Sequence, residues 1–90
     1  MANWTTTMAR EWAARSVRVN VLVPGSVATD MILPVDPERR EAFVADMAAQ
    51  NVFGRLAEPD DLVGAAVFLA SDASAYMTGR SLYVEGGLLR

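Results

Sequence analysis

The 90-residue sequence contains no histidine, no cysteine and no lysine, and these absences exclude several kinds of site. Without histidine and cysteine there is no ligand set for a structural zinc ion, no disulfide, no thiol nucleophile and no histidine-based triad. Without lysine the chain can form neither a Walker A phosphate clamp nor a Schiff base. The chemistry of this chain must therefore rest on other groups.

Positive charge is also scarce, because the formal net charge is −3 and the pI is near 4.7. Nucleic acid binding needs clustered positive charge, so we expect no nucleic acid partner. The longest apolar run, Val63 to Ala70, is far shorter than the roughly 20 residues that span a bilayer. We therefore expect no membrane span. No basic segment followed by an apolar run opens the chain, so we expect no secretory leader. The absence of cysteine fits a cytoplasmic location.

Apolar spacing predicts a first helix from Met1 to Ala14, with Glu11 and Arg15 placed one turn apart as an ion pair. One stripe of this helix carries the large apolar residues Met1, Trp4, Met8 and Trp12. We interpret this stripe first as core or as a subunit interface.

Two further helices are predicted from their start signals. Asp36 is a candidate N-cap followed by Pro37, which predicts a helix to about Gln50, and the segment from Glu58 to Asp61 repeats that signal. The buried face of this third helix is expected to consist of Leu62, Ala66, Leu69 and Ala70.

Alternating valines predict a strand from Val17 to Val23 that ends at Pro24-Gly25, and a second, shorter strand is expected from Ser81 to Glu85. The long helical connection between them predicts a parallel pair. Parallel sheets are covered on both faces and two strands leave an open edge, so we expect one edge of a larger α/β sheet.

A series of short motifs carries a family resemblance: Arg18-Val19-Asn20, Pro24-Gly25-x-Val27-x-Thr29, Gly54-Arg55, Pro59-x-Asp61, Phe68-Leu69-Ala70-Ser71, Thr78-Gly79 and Glu85-Gly86-Gly87. In this order they resemble the C-terminal portion of the short-chain dehydrogenase/reductases. The resemblance implies that residues 1–90 form part of a Rossmann-like doubly wound parallel sheet, with two parallel strands and about three helices. It also implies hydride transfer between NAD or NADP and a small alcohol or carbonyl substrate, by a complete enzyme that is a homo-oligomer.

By the same resemblance, the cofactor-binding residues are Pro24, Gly25, Val27 and Thr29. This position is physically reasonable because ligands of open α/β sheets bind beyond the carboxyl ends of the strands, and glycine allows a close approach to a flat ring. Backbone groups around Val27 would hold the nicotinamide carboxamide, and the Thr29 hydroxyl would donate to the carboxamide or the diphosphate. The alternative is that Thr29 only caps a loop.

The resemblance further implies a substrate lid between Asp30 and Phe53. Its candidate lining residues are Met31, Ile32 and Leu33, which are equally compatible with core packing. Met47 and Phe53 are interpreted first as core.

The catalytic residues of the family are missing from the chain, which has neither a Gly-x-Gly loop nor any lysine for a Tyr-x-x-x-Lys motif. Tyr76 and Arg80 have similar spacing but match the segment before the last strand, so we predict no catalytic residue here. The missing motif would end a few residues before Met1, and the chain by itself is expected to be inactive. The alternative is a non-catalytic fragment that pairs with full-length relatives. Two departures from the family, Ser16 for a left-handed glycine and Glu85 for aspartate, are not expected to affect chemistry.

Overall fold

The computed structural model describes residues 2–28 and 33–87. It contains the helices α1 (Ala2–Trp12), α2 (Pro37–Ala48) and α3 (Asp60–Ala70), the strands β1 (Val21–Pro24) and β2 (Ser81–Val84), and 3-10 turns at Ala13–Arg15 and Asp72–Ser74. The strands are parallel, with Val21 opposite Ser81 and Pro24 opposite Val84. The predicted α/β class, the parallel pair and the three helices are therefore confirmed.

The first strand begins at Val21 and not at Val17 as predicted. Residues 17–20 form no regular element: the Val17 amide donates to the carbonyl of Trp12, and the Val19 amide donates to Thr78 Oγ1 at 3.0 Å. Their hydrogen bonds thus go to the end of α1 and to the turn before β2. Pairing starts only where β2 itself begins.

Pro24 is the last residue of β1 and pairs with Val84, although we predicted that it would follow the strand. Alternate amides of a parallel strand point to the same neighbour. Those of Val21 and Gly25 donate to β2, to the carbonyls of Arg80 and Val84. The nitrogen of Pro24 faces away from β2, so its missing N–H costs the ladder nothing.

Helix α1 contacts the rest of the chain through small residues. Thr5 and Ala9 are each 4% exposed, whereas Trp4 is 78% exposed. Met8 and Trp12 also remain partly exposed, so the core interpretation is wrong for these three residues within the described part of the chain, and Met1 lies outside the described residues.

The predicted ion pair between Glu11 and Arg15 is absent from the part of the chain that the structure describes. The chain tightens into a 3-10 turn after Trp12, and the Arg15 guanidinium lies 5.4 Å from the centre of the Trp12 ring. A cation–π contact replaces the ion pair. The next residue, Ser16, adopts the expected left-handed conformation with φ of 59°.

Helix α2 begins as predicted, because Asp36 Oδ1 accepts a hydrogen bond from the Glu38 amide at 3.1 Å. Helix α3 begins at Asp60, and its half-buried residues are Leu62, Ala65 and Leu69. Ala66 and Ala70 are exposed, contrary to prediction. Counted from Leu62, the residues at i, i+3 and i+7 face the rest of the chain, whereas those at i+4 and i+8 lie on the adjacent, exposed side of the helix.

The described part of the chain has little interior of its own. Its buried residues are Thr5, Ala9, Leu56 and Ser74. The radius of gyration is 16.2 Å and the extents are 53 × 23 × 23 Å, whereas a compact chain of this length has a radius near about 12 Å. These dimensions fit the predicted edge of a larger sheet.

Candidate functional site

A cavity of about 160 Å³ lies at the carboxyl ends of the two strands. The turn after β1 contributes Gly25 and Ser26, and the turn after β2 contributes Glu85 and Gly86. The remaining lining residues are Asn51, Phe53, Arg55, Ala57, Asp61 and Val84. Of the predicted cofactor-binding residues that the structure describes, which are Pro24, Gly25 and Val27, only Gly25 lines this cavity.

Gly25 is required for space rather than for a special backbone conformation. A Cβ atom at this position would lie 3.1 Å from the Cα atom and 3.2 Å from the carbonyl oxygen of Glu85. Both are backbone atoms that cannot rotate away. The absence of a side chain therefore lets the two turns approach each other at the carboxyl ends of the strands.

Val27 forms an isolated parallel bridge with Ala57. The Ala28 amide donates to the Ala57 carbonyl at 2.7 Å, and the Ala57 amide donates to the Ser26 carbonyl at 2.9 Å. In a parallel bridge the polar groups of the central residue point to the opposite side. The amide and carbonyl of Val27 thus face away from Ala57, one donor and one acceptor side by side.

The same bridge closes the base of the segment predicted to be the substrate lid, which leaves the sheet after Ala28 and returns at Ala57. Helix α2 lies in this segment and has no buried residue. Its half-buried Met47 accepts a hydrogen bond from Ser26 Oγ through its sulfur atom at 3.5 Å. This segment is thus joined to the sheet by the bridge at its base and to the turn after β1 by the contact of Met47 with Ser26.

The structure describes only part of the predicted site. The cofactor-binding candidate Thr29 and the lid candidates Met31 and Ile32 lie outside the described residues. Leu33 is half-buried and does not line the cavity. Phe53 is 74% exposed and lines the cavity, so its interpretation as core is wrong.

The side chain of Asn51 holds together the turn that carries Phe53 at the edge of the cavity. Its Oδ1 atom accepts hydrogen bonds from the amides of Phe53 and Gly54 at 3.0 Å, and its Nδ2 donates to the Arg55 carbonyl at 2.8 Å. The next residue, Val52, donates its amide to the carbonyls of Gly86 and Gly87. This turn is thereby fastened to the end of β2.

Arg55 and Asp61 form an ion pair at the rim of the cavity, with guanidinium-to-carboxylate distances of 2.7 and 3.2 Å. Asp61 also accepts a hydrogen bond from the Glu58 amide at 2.7 Å, ahead of α3. The hydrogen bond from Arg55, then that from Glu58, lowers the pKa of Asp61 from 3.8 to about 2. This ion pair links the segment just before Ala57 to α3, and the carboxylate of Asp61 stays ionised at neutral pH.

The structure places Glu85 in the lining of the cavity, whereas from the sequence we named it only as a departure from the family that is not expected to affect chemistry. Its Oε2 atom is buried and has no hydrogen-bond partner among residues 2–28 and 33–87. A buried carboxylate oxygen without a partner is costly and therefore uncommon. The available signal was its position directly after the last strand, where ligands of α/β sheets bind.

The described ranges contain no group of three or more side chains suited to a metal ion. Tyr76 is fully exposed and is not among the residues that line the cavity. None of the helices in the described ranges has the length and apolar character to cross a membrane.

Comparison with known proteins gives one consistent result. Residues 1–89 match the family described as Enoyl-(Acyl carrier protein) reductase. The chain is 44% identical to the 3-oxoacyl-(acyl-carrier-protein) reductase FabG of Vibrio cholerae, over 94% of this chain and 33% of that protein. It is 49% identical to a galactitol 2-dehydrogenase (L-tagatose-forming) of Cereibacter sphaeroides, over 92% of this chain and 32% of that protein.

The fold has a solved counterpart in the 3-oxoacyl-(acyl-carrier protein) reductase of Brucella melitensis, with a TM-score of 0.83 and 33% identity. That match covers 97% of this chain and 31% of the other, so the chain spans about a third of the length of these relatives. The motifs, the parallel strands with their helices and these matches agree, and the chain belongs to the short-chain dehydrogenase/reductase family.

Proposed function

We propose that this chain forms the nicotinamide-side loop and the substrate lid of an NAD(P)-dependent oxidoreductase. The observation that carries the proposal is the orientation of Val27, whose amide and carbonyl face away from the Ala57 bridge. A carboxamide needs one donor and one acceptor, and this backbone offers that pair just beyond β1. The complete enzyme would be a cytoplasmic homo-oligomer that acts on a small alcohol or carbonyl compound.

The residues of the loop have separate tasks in this proposal. Gly25 keeps the turn after β1 against Glu85, which holds the following residues in place. The Val27 amide donates to the carboxamide and its carbonyl accepts from it, while Pro24 shapes the turn and the Thr29 hydroxyl donates to the same ligand. When bound, the nicotinamide ring supplies or accepts the hydride.

The lid contributes by covering the substrate. The half-buried residues of α2, which are Phe43, Val44, Met47 and Ala48, form its inner apolar face. Together with Met31, Ile32 and Leu33 they would exclude water and receive the apolar part of the substrate. The loose attachment of α2 to Ser26 leaves this face able to adjust to a substrate.

The chain supplies no side chain for the proton transfer that accompanies hydride transfer. It has no lysine, and Tyr76 is fully exposed away from the cavity. We therefore expect that the 90 residues alone do not oxidise NADH or NADPH with any carbonyl compound. Steady turnover by the purified chain would contradict this.

A chimeric enzyme tests the proposal. The chain would replace the matching last third of the Vibrio cholerae reductase, and NADPH-dependent reduction of a 3-oxoacyl thioester would be measured. We expect an active chimera in which Val27→Pro raises the KM for NADPH at least about fivefold, the effect of one hydrogen bond of about 1 kcal/mol. The substitution removes the Val27 amide but spares the bridge, which uses Ser26, Ala28 and Ala57.

Val27→Ala is the matched control, because it shortens the side chain and keeps the amide. Its KM for NADPH should stay close to that of the unsubstituted chimera. The proposal is wrong if the chimera is folded and inactive, or if both Val27 variants have the same KM.

A second candidate function is association with a full-length relative without catalysis. The exposed Trp4, Met8 and Trp12 on one face of α1 favour it, because the neighbouring residues Thr5 and Ala9 are already covered and this face is not. Co-expression and co-purification with a tagged relative test it. If Trp4→Glu abolishes the association, the exposed aromatic face of α1 forms the interface. Absence of any association would reject the candidate.

A further inference from the structure

A groove of about 340 Å³ lies at the other end of the sheet, between α1 and the turn that leads into β2. Arg10 from the last turn of α1 and Arg80 from the residue before β2 both line it, as does Thr78. None of the described residues that line the groove is acidic. Two arginines therefore line one concave surface on a chain whose net charge is −3.

The packing of α1 explains why these two arginines meet. A Cβ atom on Gly79 would lie only 3.3 Å from the Cβ of Ala9, so the helix rests directly on the backbone of the turn. Arg10 and Arg80 follow these two contact residues in the sequence. The backbone of Arg80 is held on both sides, by Asn20 Oδ1 at 3.2 Å and by the Val21 amide at 2.9 Å.

Neither guanidinium is neutralised within the described ranges. The ion pair found there joins Arg55 and Asp61, and Arg10 and Arg80 donate no side-chain hydrogen bond to the residues described. Thr78 Oγ1 accepts from the Val19 amide, which leaves its hydroxyl hydrogen for another acceptor. An anion bound in the groove would be attracted by both arginines.

We propose that this groove binds a phosphate-class dianion. Two positive charges call for a ligand with two negative charges, and a phosphate group carries about −1.5 to −2 near neutral pH with three acceptor oxygens. Arginine presents its donors in a planar fork that matches such oxygens, and Thr78 adds a hydroxyl donor. A carboxylate would neutralise only one of the two guanidinium groups.

Titration of the whole 90-residue chain with inorganic phosphate at slightly alkaline pH and constant ionic strength tests this. We expect saturable shifts of the Gly79 and Arg80 amide resonances. Arg10→Ala and Arg80→Ala should each weaken binding at least about tenfold, the loss expected for one charged hydrogen-bonding partner. Among the described residues neither variant removes a hydrogen bond, because the bonds found there for Arg80 use its backbone and none uses the side chain of Arg10.

Arg39→Ala on the exposed face of α2 is the matched control and should bind phosphate like the unsubstituted chain. Acetate at equal ionic strength should bind more weakly than phosphate. The proposal is overturned by equal binding of acetate, by unchanged binding in Arg10→Ala, or by the absence of saturation. A thermal melt keeps the test decisive for a marginally stable chain, because a ligand of the folded state must raise Tm, and an unchanged Tm also overturns it.

Discussion

The two ends of the parallel pair hold polar groups in different ways. At the amino end, the Arg18 guanidinium donates to the carbonyls of Leu69, Met77 and Ser71 at 2.9, 3.1 and 3.2 Å. Asn20 donates to the carbonyl of Met77 at 3.0 Å and accepts from the Arg80 amide. At the carboxyl end, by contrast, Glu85 keeps a buried oxygen without a partner among the described residues.

The difference separates architecture from function. The side chains of Arg18 and Asn20 hydrogen-bond to backbone groups of the chain itself. These bonds join the start of β1 to the end of α3 and to the turn before β2. The carboxyl end encloses a cavity and leaves the amide and carbonyl of Val27 facing away from their bridge. Unused polar groups at the end where α/β proteins bind ligands are the better candidates for function.

The largest expected effect comes from breaking the amino end with Arg18→Met. This change removes three hydrogen bonds from a charged donor, so the free energy of unfolding should fall by about 2–3 kcal/mol. Urea denaturation followed by circular dichroism measures it. Arg39→Met, on the exposed face of α2, should change it by less than about 0.5 kcal/mol. Equal effects of the two variants would mean that the amino end is not held by Arg18.

A smaller effect is expected at the carboxyl end from Gly25→Ala. The new Cβ would meet the Glu85 backbone at 3.1 Å, and overpacking of this kind costs about 1–3 kcal/mol. Gly64→Ala in α3 is the matched control, since its Cβ would have no atom within 4 Å. That variant should gain up to about 1 kcal/mol from helix propensity. The same urea titration compares both, and a neutral Gly25→Ala would show that the two turns can separate freely.

The smallest effect is expected from Asp61→Asn at the exposed rim. The pKa of Asp61 is lowered to about 2 in the folded chain from 3.8, so its ionised form stabilises the fold above pH 3.8. This contribution is lost as the pH falls through about 2. The stability difference between the original chain and Asp61→Asn should be constant near neutrality and vanish across that window. Arg55→Met, which removes the partner guanidinium, should reduce the same pH dependence, and an unchanged dependence in this variant would exclude the ion pair as the cause.

Local signals predicted much of the fold. Asp36 caps α2 as expected, Ser16 adopts the left-handed conformation, and β1 and β2 pair in parallel. Each depends on a few neighbouring residues or on the length of the connection. The predictions that failed concerned which side chains pack against other elements. Ala66 was expected to be buried and is exposed, and Phe53 was expected in the core and lines a cavity.

The candidate site was predicted in part for the same reason. The Pro-Gly turn after β1 could be placed at the carboxyl end of a strand from the sequence, because valine alternation and a proline-glycine stop are local features. Asn51, Arg55 and Glu85 could not be grouped with it. They come from two distant segments that reach this turn only in the folded chain.

By itself the sequence determined the order and type of the elements and the family resemblance, since helix periodicity, caps and motif order are written in neighbouring positions. The tertiary structure alone decided which face of α1 is covered, where β1 begins pairing and which side of the Ala57 bridge Val27 leaves open. The physical reason is that burial and hydrogen-bond direction depend on atoms contributed by residues far apart in the chain, and no local pattern specifies those atoms.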